Sequence, residues 1–171
     1  MFIAHAPFGY ILGELTAPKV AKLITKPILV ITVMVLGSLF PDIDMLYFYL
    51  IDHRHTHHHK YMTHWPIVWL GLILMSLAML WVARNKKNPL LLFLFGVTGF
   101  LHLVLDSVVG DIWWFAPFVD KPYAMFTVPA TFSPWWLNFV LHWSFALELG
   151  ICVVAFVMWR QQRALAYKGQ C

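Results

Sequence analysis

The chain has 171 residues, of which 61% are hydrophobic and 12% charged, and its mean hydropathy is +0.72. Soluble domains carry about 25% charged residues, so this chain lacks the polar surface that a water-soluble globule requires. The net charge of +4 comes from short basic clusters beside apolar runs, not from an extended basic surface, which argues against nucleic acid as a direct partner. Residues 1–171 are therefore predicted to form a single integral membrane domain.

Four long apolar runs follow a shorter apolar segment at the start of the chain. The segment at 2–17 is predicted to form a tilted, re-entrant or interfacial helix, or a marginal fifth span. Each long run has enough residues, at 1.5 Å rise per residue, to cross a hydrocarbon core of about 30 Å; the runs are 28–50, 65–83, 89–109 and 135–159. The predicted fold is all-α, a polytopic transmembrane helix bundle with four long spans plus an N-terminal short or re-entrant helix.

Lysines and arginines gather in three short clusters before, between and after the long runs, at 19–26, 84–87 and 160–168. The three clusters fall on the same side if every long run crosses once, and the positive-inside rule makes that side cytoplasmic. The loops at 51–64 and 110–134 then lie outside. Polar residues near these two loops are expected at the outer face of the membrane.

Ionisable residues that are scattered along the sequence converge at this outer face if the topology holds. Charged and titratable groups inside a span are costly and usually functional. Their convergence predicts a metal site at one membrane face. The residues predicted at that depth are His5, Asp42, Asp44, His59, His64, His102, Asp106 and His142.

The firmest pair in this group is His102 and Asp106. Their spacing of four puts both on one face of a helix, where an imidazole and a carboxylate can bind one metal or hydrogen-bond to each other. Asp42 and Asp44 are two residues apart and cannot share a face of a regular helix. A break at Pro41 would let both turn inward, although the same pattern is typical of a surface turn in which Asp caps the next helix.

A histidine-rich stretch at 53–64 precedes the second run. Imidazole is the commonest ligand of zinc-like metals in proteins. The stretch could equally be a solvated tract that scavenges metals or buffers protons. His59 and His64 are the preferred ligands here because they flank the start of a span.

Four short motifs in order resemble those of the LexA-regulated inner-membrane metal-dependent hydrolases, the YdjM-like family. They are Ala4-His5 through Gly9, Pro41-Asp42-Ile43-Asp44, His59-Lys60-Tyr61-Met62-Thr63-His64, and Gly99 through His102 to Asp106. Lys60 departs from the family's usual Arg, and Trp65 from its frequent Ser. The resemblance implies a multi-pass protein of the bacterial inner (cytoplasmic) membrane. It also implies a metal-ligand set of His5, Asp42, Asp44, His59, His64, His102 and Asp106.

The leading interpretation is a hydrolase with its site facing the periplasm or exterior, which uses a metal-activated water on a lipid phosphoester or another amphiphilic substrate. Seven ligands suit two divalent ions, with zinc as the first expectation and manganese or another transition metal as the alternative. Asp42, Asp44 and Asp106 are the predicted catalytic carboxylates, and Arg54 or Lys60 is predicted to hold an anionic headgroup. The expected partner is a membrane lipid or a lipid-linked substrate. Two other interpretations stay open: a protein that binds or transports divalent metal, and a structural protein whose His–Asp pairs join helices.

Overall fold

A computed structural model of the protein describes residues 3–134 and 136–168, and this part of the chain forms seven α-helices. It has no β-strand within those residues, apart from one isolated bridge between Ile112 and Tyr123. The all-α prediction is thereby confirmed. The helices are α1 (His5–Val20), α2 (Pro27–Leu39), α3 (Asp44–Leu50), α4 (Pro66–Val82), α5 (Lys87–Asp106), α6 (Trp136–Val140) and α7 (Trp143–Lys168).

The described residues contain three helical segments long and apolar enough to cross a membrane, not four. They are Pro27–Leu50, Lys87–Asp106 and Trp143–Leu165. The second predicted span gives the shorter helix α4, because Trp65 stays extended in front of Pro66 and the helix ends before Ala83. Its 17 residues extend roughly 26 Å at the rise of an α-helix, slightly less than a hydrocarbon core.

Close contacts at glycines hold α1, α2, α4 and α5 together. Gly9 of α1 lies against the backbone of Met34 and Val35 in α2, while Gly37 of α2 lies against α5 at Phe95. Gly99 of α5 lies against the ring of Trp69 in α4. Small residues at such positions let helix backbones approach closely. Second contacts of Gly13 with Ile31, of Ser38 with His102 and of Gly96 with Ile73 give the order along each helix. They make α1 and α2 antiparallel, α2 and α5 parallel, and α4 and α5 antiparallel.

One end of this bundle therefore gathers the N-termini of α1 and α4 and the C-termini of α2 and α5. Helix α7 also begins there, because Oε2 of Glu148 accepts a hydrogen bond of 2.7 Å from the backbone N–H of Ile3. The basic loops at 21–26 and 83–86 join the helices at the opposite end. As predicted, the ionisable residues of the proposed site lie at one end of the bundle and the basic loops lie at the other.

Two of the predicted spans are interrupted near this end. The first breaks at a 3-10 turn, Phe40–Ile43, which contains Pro41. The last breaks just before α7, where Nδ1 of His142 lies 2.9 Å from Oγ of Ser144. His142 thus lies at the start of α7, bonded to that helix's first turn.

Candidate metal centre

The last turn of α5 carries the central pair of the site. Nε2 of His102 lies 2.9 Å from Oδ2 of Asp106, as their spacing of four residues predicts. Both side chains are almost completely buried, at 0% and 2% exposure. Burying a carboxylate and an imidazole costs free energy unless both have polar partners. Further partners are therefore expected around this pair.

The proton of His102 is fixed by a neighbouring backbone. Its Nδ1 lies 2.7 Å from the carbonyl oxygen of Ser38, which can only accept, so Nδ1 carries a proton and donates it. In the neutral ring Nε2 then presents a lone pair, and it faces Asp106 as well as Oδ1 of Asp42 at 3.6 Å. Ser38 reaches this position because Gly37 lets the end of α2 approach α5.

His64 and His59 show the same arrangement. Nδ1 of His64 lies 2.6 Å from Oδ2 of Asp44, and Nδ1 of His59 lies 2.9 Å from the carbonyl oxygen of Asp111. Their Nε2 atoms face Oδ2 of Asp106, at 3.9 Å and 3.6 Å respectively. Metal-binding histidines commonly have the other ring nitrogen held by a carboxylate or a carbonyl in this way.

This geometry suits a bound cation. A lone pair that faces a carboxylate oxygen in a buried site is repelled unless a proton or a metal ion lies between them. Nε2 of His64 and Nε2 of His102 are both buried without a hydrogen-bond partner. Four ligand atoms within 4.8 Å of one another, two nitrogens and two carboxylate oxygens, suit a zinc-like divalent metal. These residues are called the inner group: Asp42, His64, His102 and Asp106.

His5 lies directly beside the inner group. Its Nε2 is 3.0 Å from Oδ1 of Asp106, and its ring stacks on that of His102 with 3.7 Å between centroids. The Oγ of Ser38 donates to the carbonyl oxygen of His5 at 2.7 Å, which fixes the start of α1 against the end of α2. Asp106 therefore offers one oxygen to His5 and the other to His102.

Asp44 lies behind the inner group. Its Oδ2 accepts from Thr63 as well as from His64, each at 2.6 Å. The other oxygen, Oδ1, is buried without a hydrogen-bond partner and lies 4.0 Å from Nδ1 of His58. The 3-10 turn at Pro41 thus separates the two predicted carboxylates: Asp42 contributes to the inner group, while Asp44 orients His64.

A second cluster of nitrogens adjoins the first. His58, His59 and His64, here called the outer group, also offer ligand atoms within 4.8 Å of one another. Burial lowers the pKa of His58 to about 4 and the pKa of His59 to about 2, so both rings are neutral at pH 7. His58 was not among the predicted ligands, and its only signal in the sequence is its position next to His59.

The two predicted headgroup contacts lie outside both groups. The guanidinium of exposed Arg54 lies over the ring of Tyr49, 4.9 Å from its centroid. Nζ of Lys60 is 3.0 Å from Oδ1 of Asp120 and 5.0 Å from the centroid of the Trp113 ring. Arg54 therefore contacts α3, and Lys60 contacts the outer loop at 110–134.

A cavity of about 580 Å³ opens beside the site. Asp42, His59 and Asp106 form part of its wall. Most of the remaining wall is apolar, and the apolar lining residues include Met45, Val109, Phe126, Val128 and Phe139. The cavity thus joins ligand-bearing side chains to a hydrophobic surface.

Fold and site together define a small helical membrane protein with a buried His–Asp cluster that fits a divalent cation. A comparison with protein families identifies which one: the profile of the family described as YdjM inner membrane protein matches residues 1–167, and the chain belongs to that family. The resemblance predicted from the four motifs is confirmed. No curated protein and no solved structure matches the chain.

Proposed function

We propose that the protein is a metal-dependent hydrolase that acts on an amphiphilic substrate, with a lipid phosphoester as the leading class. One observation carries the proposal: the inner group adjoins a cavity whose remaining wall is mostly apolar. An ion-transport site needs polar groups that continue through the bundle. A hydrolytic site needs them only where the reacting bond lies, with room for the apolar part of the substrate.

The inner group is the proposed binding site for one metal ion, with zinc as the first expectation and manganese as the alternative. A metal held there would supply Lewis acidity toward a phosphoryl or carbonyl oxygen and lower the pKa of a bound water. A second ion beside His5 is part of the proposal, because Asp106 directs Oδ1 toward His5 and Oδ2 toward His102. A carboxylate with its two oxygens so divided is suited to bridging two cations.

Asp42 is the proposed general base. Its side chain is 35% exposed and lies on the cavity wall, whereas the side chain of Asp106 is 2% exposed and contacts histidines through both oxygens. Asp44 already accepts hydrogen bonds from Thr63 and His64. Oδ1 of Asp42 faces the inner group, so its other oxygen, Oδ2, is proposed to accept the proton from an attacking water. Asp106 is then a ligand of the metal, and Asp44 orients His64.

The proposed orientation has the cavity on the periplasmic side. The positive-inside rule assigns the basic loops to the cytoplasm, and those loops join the helices at the end opposite the inner group. An acyl or isoprenoid chain could then remain against the apolar wall while its phosphoester meets Asp42.

The test is hydrolysis of a panel of phospholipids and isoprenoid phosphates by detergent-purified protein, with and without a chelator. We expect turnover that the chelator abolishes, and loss of at least about a hundredfold in Asp106→Asn if the metal provides the main catalytic effect. Glu14→Gln is the matched control, because Glu14 is a carboxylate of α1 that contacts Tyr10 and belongs neither to the inner group nor to the cavity wall.

Divalent-metal transport is the second candidate, and the clustering of histidines at the outer end favours it. Transport would need polar groups toward the cytoplasmic end, whereas Glu148 hydrogen-bonds to the backbone of Ile3 and so lies at the same end as the inner group. This contact gives Glu148 a structural role. Absence of metal-dependent turnover on every substrate, together with cation flux into liposomes, would overturn the hydrolase proposal in favour of transport.

A further inference from the structure

Histidine rings form a continuous series from the exposed loop to the inner group. The ring centroids of His57 and His58 are 5.5 Å apart, and those of His58 and His59 are 4.0 Å apart. His59 and His64 follow at 4.6 Å, and His64 and His102 at 5.4 Å. Neighbouring rings are thus close enough for one metal ion to move from one imidazole to the next.

Burial increases along this series. His57 is exposed, the side chain of His58 is 25% exposed, that of His59 is 8% exposed, and that of His64 is 0% exposed. A hydrated cation cannot move directly into a buried site without losing water, which is costly unless protein ligands replace that water stepwise. A graded series of neutral imidazoles provides such a replacement.

His64 belongs to both the inner and the outer group, yet it has only one nitrogen to offer. Its Nδ1 donates to Asp44, which leaves Nε2 as the available ligand atom. A single lone pair binds one metal at a time. The two groups therefore cannot both use His64 at once, and an ion bound by one group competes with an ion bound by the other.

We propose that the outer group captures a zinc-like divalent cation and passes it through His64 to the inner group. His58 is the outer-group ligand that matters only during capture, because it has no place in the inner group, whereas Nε2 of His59 also faces Asp106 of that group at 3.6 Å. Its Nδ1 has no hydrogen-bond partner and faces the buried Oδ1 of Asp44, which likewise has none. The carboxylate attracts the cation to this position while His58 coordinates it.

This inference rests on the metal centre of the proposed function, but it does not depend on hydrolysis. The experiment uses full-length protein in detergent, stripped of metal, with Co²⁺ as a coloured probe. Loading is followed by the absorption of the bound ion, and release is followed after addition of excess chelator. The variant is His58→Gln, and His53→Gln is the control because His53 is an exposed residue of the same loop.

We expect loading and release to slow severalfold in His58→Gln, and both by the same factor. The equilibrium Kd and the number of ions bound at the inner group should stay at the wild-type values. Equal slowing of loading and release would indicate that only the entry path of the ion has been lost. The path that an ion takes does not change its equilibrium Kd. His53→Gln should match the wild type in rate and affinity.

Disabling the inner group isolates the capture step. Asp106→Asn should leave weak Co²⁺ binding with an all-nitrogen spectrum, and the double variant Asp106→Asn/His58→Gln should lose it. Wild-type rates in His58→Gln would overturn the proposal even if hydrolysis is intact. A weaker Kd with unchanged loading would also overturn it, because His58 would then be an ordinary ligand. Failure of the wild type to bind Co²⁺ would overturn the metal centre itself.

Discussion

Nδ1 of His64 lies 2.6 Å from Oδ2 of Asp44, and both side chains are buried. The carboxylate accepts the imidazole proton and so turns Nε2 of His64 toward Asp42 and Asp106. Two residues on one short turn thus act at different distances from the proposed ion: Asp42 as a ligand, Asp44 through the histidine that it orients. This difference can be measured.

Asp44→Asn should weaken metal binding without abolishing it. The amide oxygen can still accept from His64, but it lacks the charge that makes the imidazole more basic. Loss of such a supporting carboxylate typically reduces metal affinity by about 10–100-fold. Competition with a chromophoric chelator gives the Kd, and Thr63→Val is the control that removes only the other hydrogen bond to Asp44.

Asp42→Asn should lower the affinity more than Asp44→Asn, because it removes a negatively charged ligand atom. The proposed roles would be refuted by the reverse order, or by a wild-type Kd in Asp44→Asn.

Gly99→Ala should destabilise the bundle. A methyl group at this position would overlap the ring of Trp69, whose Nε1 donates to the carbonyl oxygen of Thr63 at 2.7 Å. Overpacking of this kind costs about 1–3 kcal/mol. We expect a lower thermal-denaturation midpoint in detergent and weaker metal binding, since displacement of Trp69 disturbs the turn that carries His64.

The control for this substitution is Gly71→Ala. Gly71 lies on α4, and nothing lies within 4 Å of where its methyl group would be. Its midpoint should equal or exceed that of the wild type, because alanine is the better helix former by about 1 kcal/mol. Equal midpoints for the two variants would show that the contact of Gly99 with Trp69 does not limit stability.

The sequence predicted those parts of the site that depend on local geometry. His102 and Asp106 meet because the helix repeat puts residues four apart on one face. A break at Pro41 also follows from local chemistry, since proline lacks the N–H that continues a helix. Which carboxylate would contact the ion directly could not be predicted, because that depends on the position of His64, twenty residues further along.

The parts that could not be predicted depend on tertiary contacts. The continuous apolar run at 135–159 gives no sign of the turn before α7, which His142 and Ser144 stabilise by a hydrogen bond. Hydropathy likewise does not reveal that Trp65 donates its Nε1 proton to the carbonyl oxygen of Lys60 and so remains outside α4. His58 has no distinctive spacing, and the fold of the loop alone brings it beside His59.

Asp52→Ala should loosen the histidine loop. The carboxylate of Asp52 accepts hydrogen bonds from the backbone N–H of Thr56 at 2.6 Å and from its Oγ1 at 3.3 Å, and alanine removes both. We expect trypsin to cut after Arg54 severalfold faster in this variant than in the wild type. Asp111→Ala is the control, and equal cleavage of all three proteins would contradict the role of Asp52.

Acid should loosen the same loop only at low pH. The backbone N–H of Thr56 lowers the pKa of Asp52 below its ordinary value of 3.8. A carboxyl group whose pKa is lowered by folding contributes its full stabilisation above the unfolded pKa and loses it as the pH falls through the folded pKa. Nicking of the loop by pepsin should therefore rise below pH 3.8 and not above it. A rise centred near pH 5 would assign the loosening to another group.

Phe139→Ser should distinguish substrates by the length of their apolar part. Phe139 lies on the wall of the cavity that Asp42 and Asp106 share. Removing the ring forfeits apolar burial worth about 1.5–3 kcal/mol, which corresponds to roughly 10–100-fold in binding. We expect kcat/KM to fall by this factor for long-chain phosphoesters and to stay unchanged for a short, water-soluble one.

Phe118→Ser is the control, because Phe118 is 79% exposed and lines a different cavity. Equal losses on long and short substrates would show that Phe139 supports the metal centre itself, because a substrate-binding wall affects only the substrates that reach it.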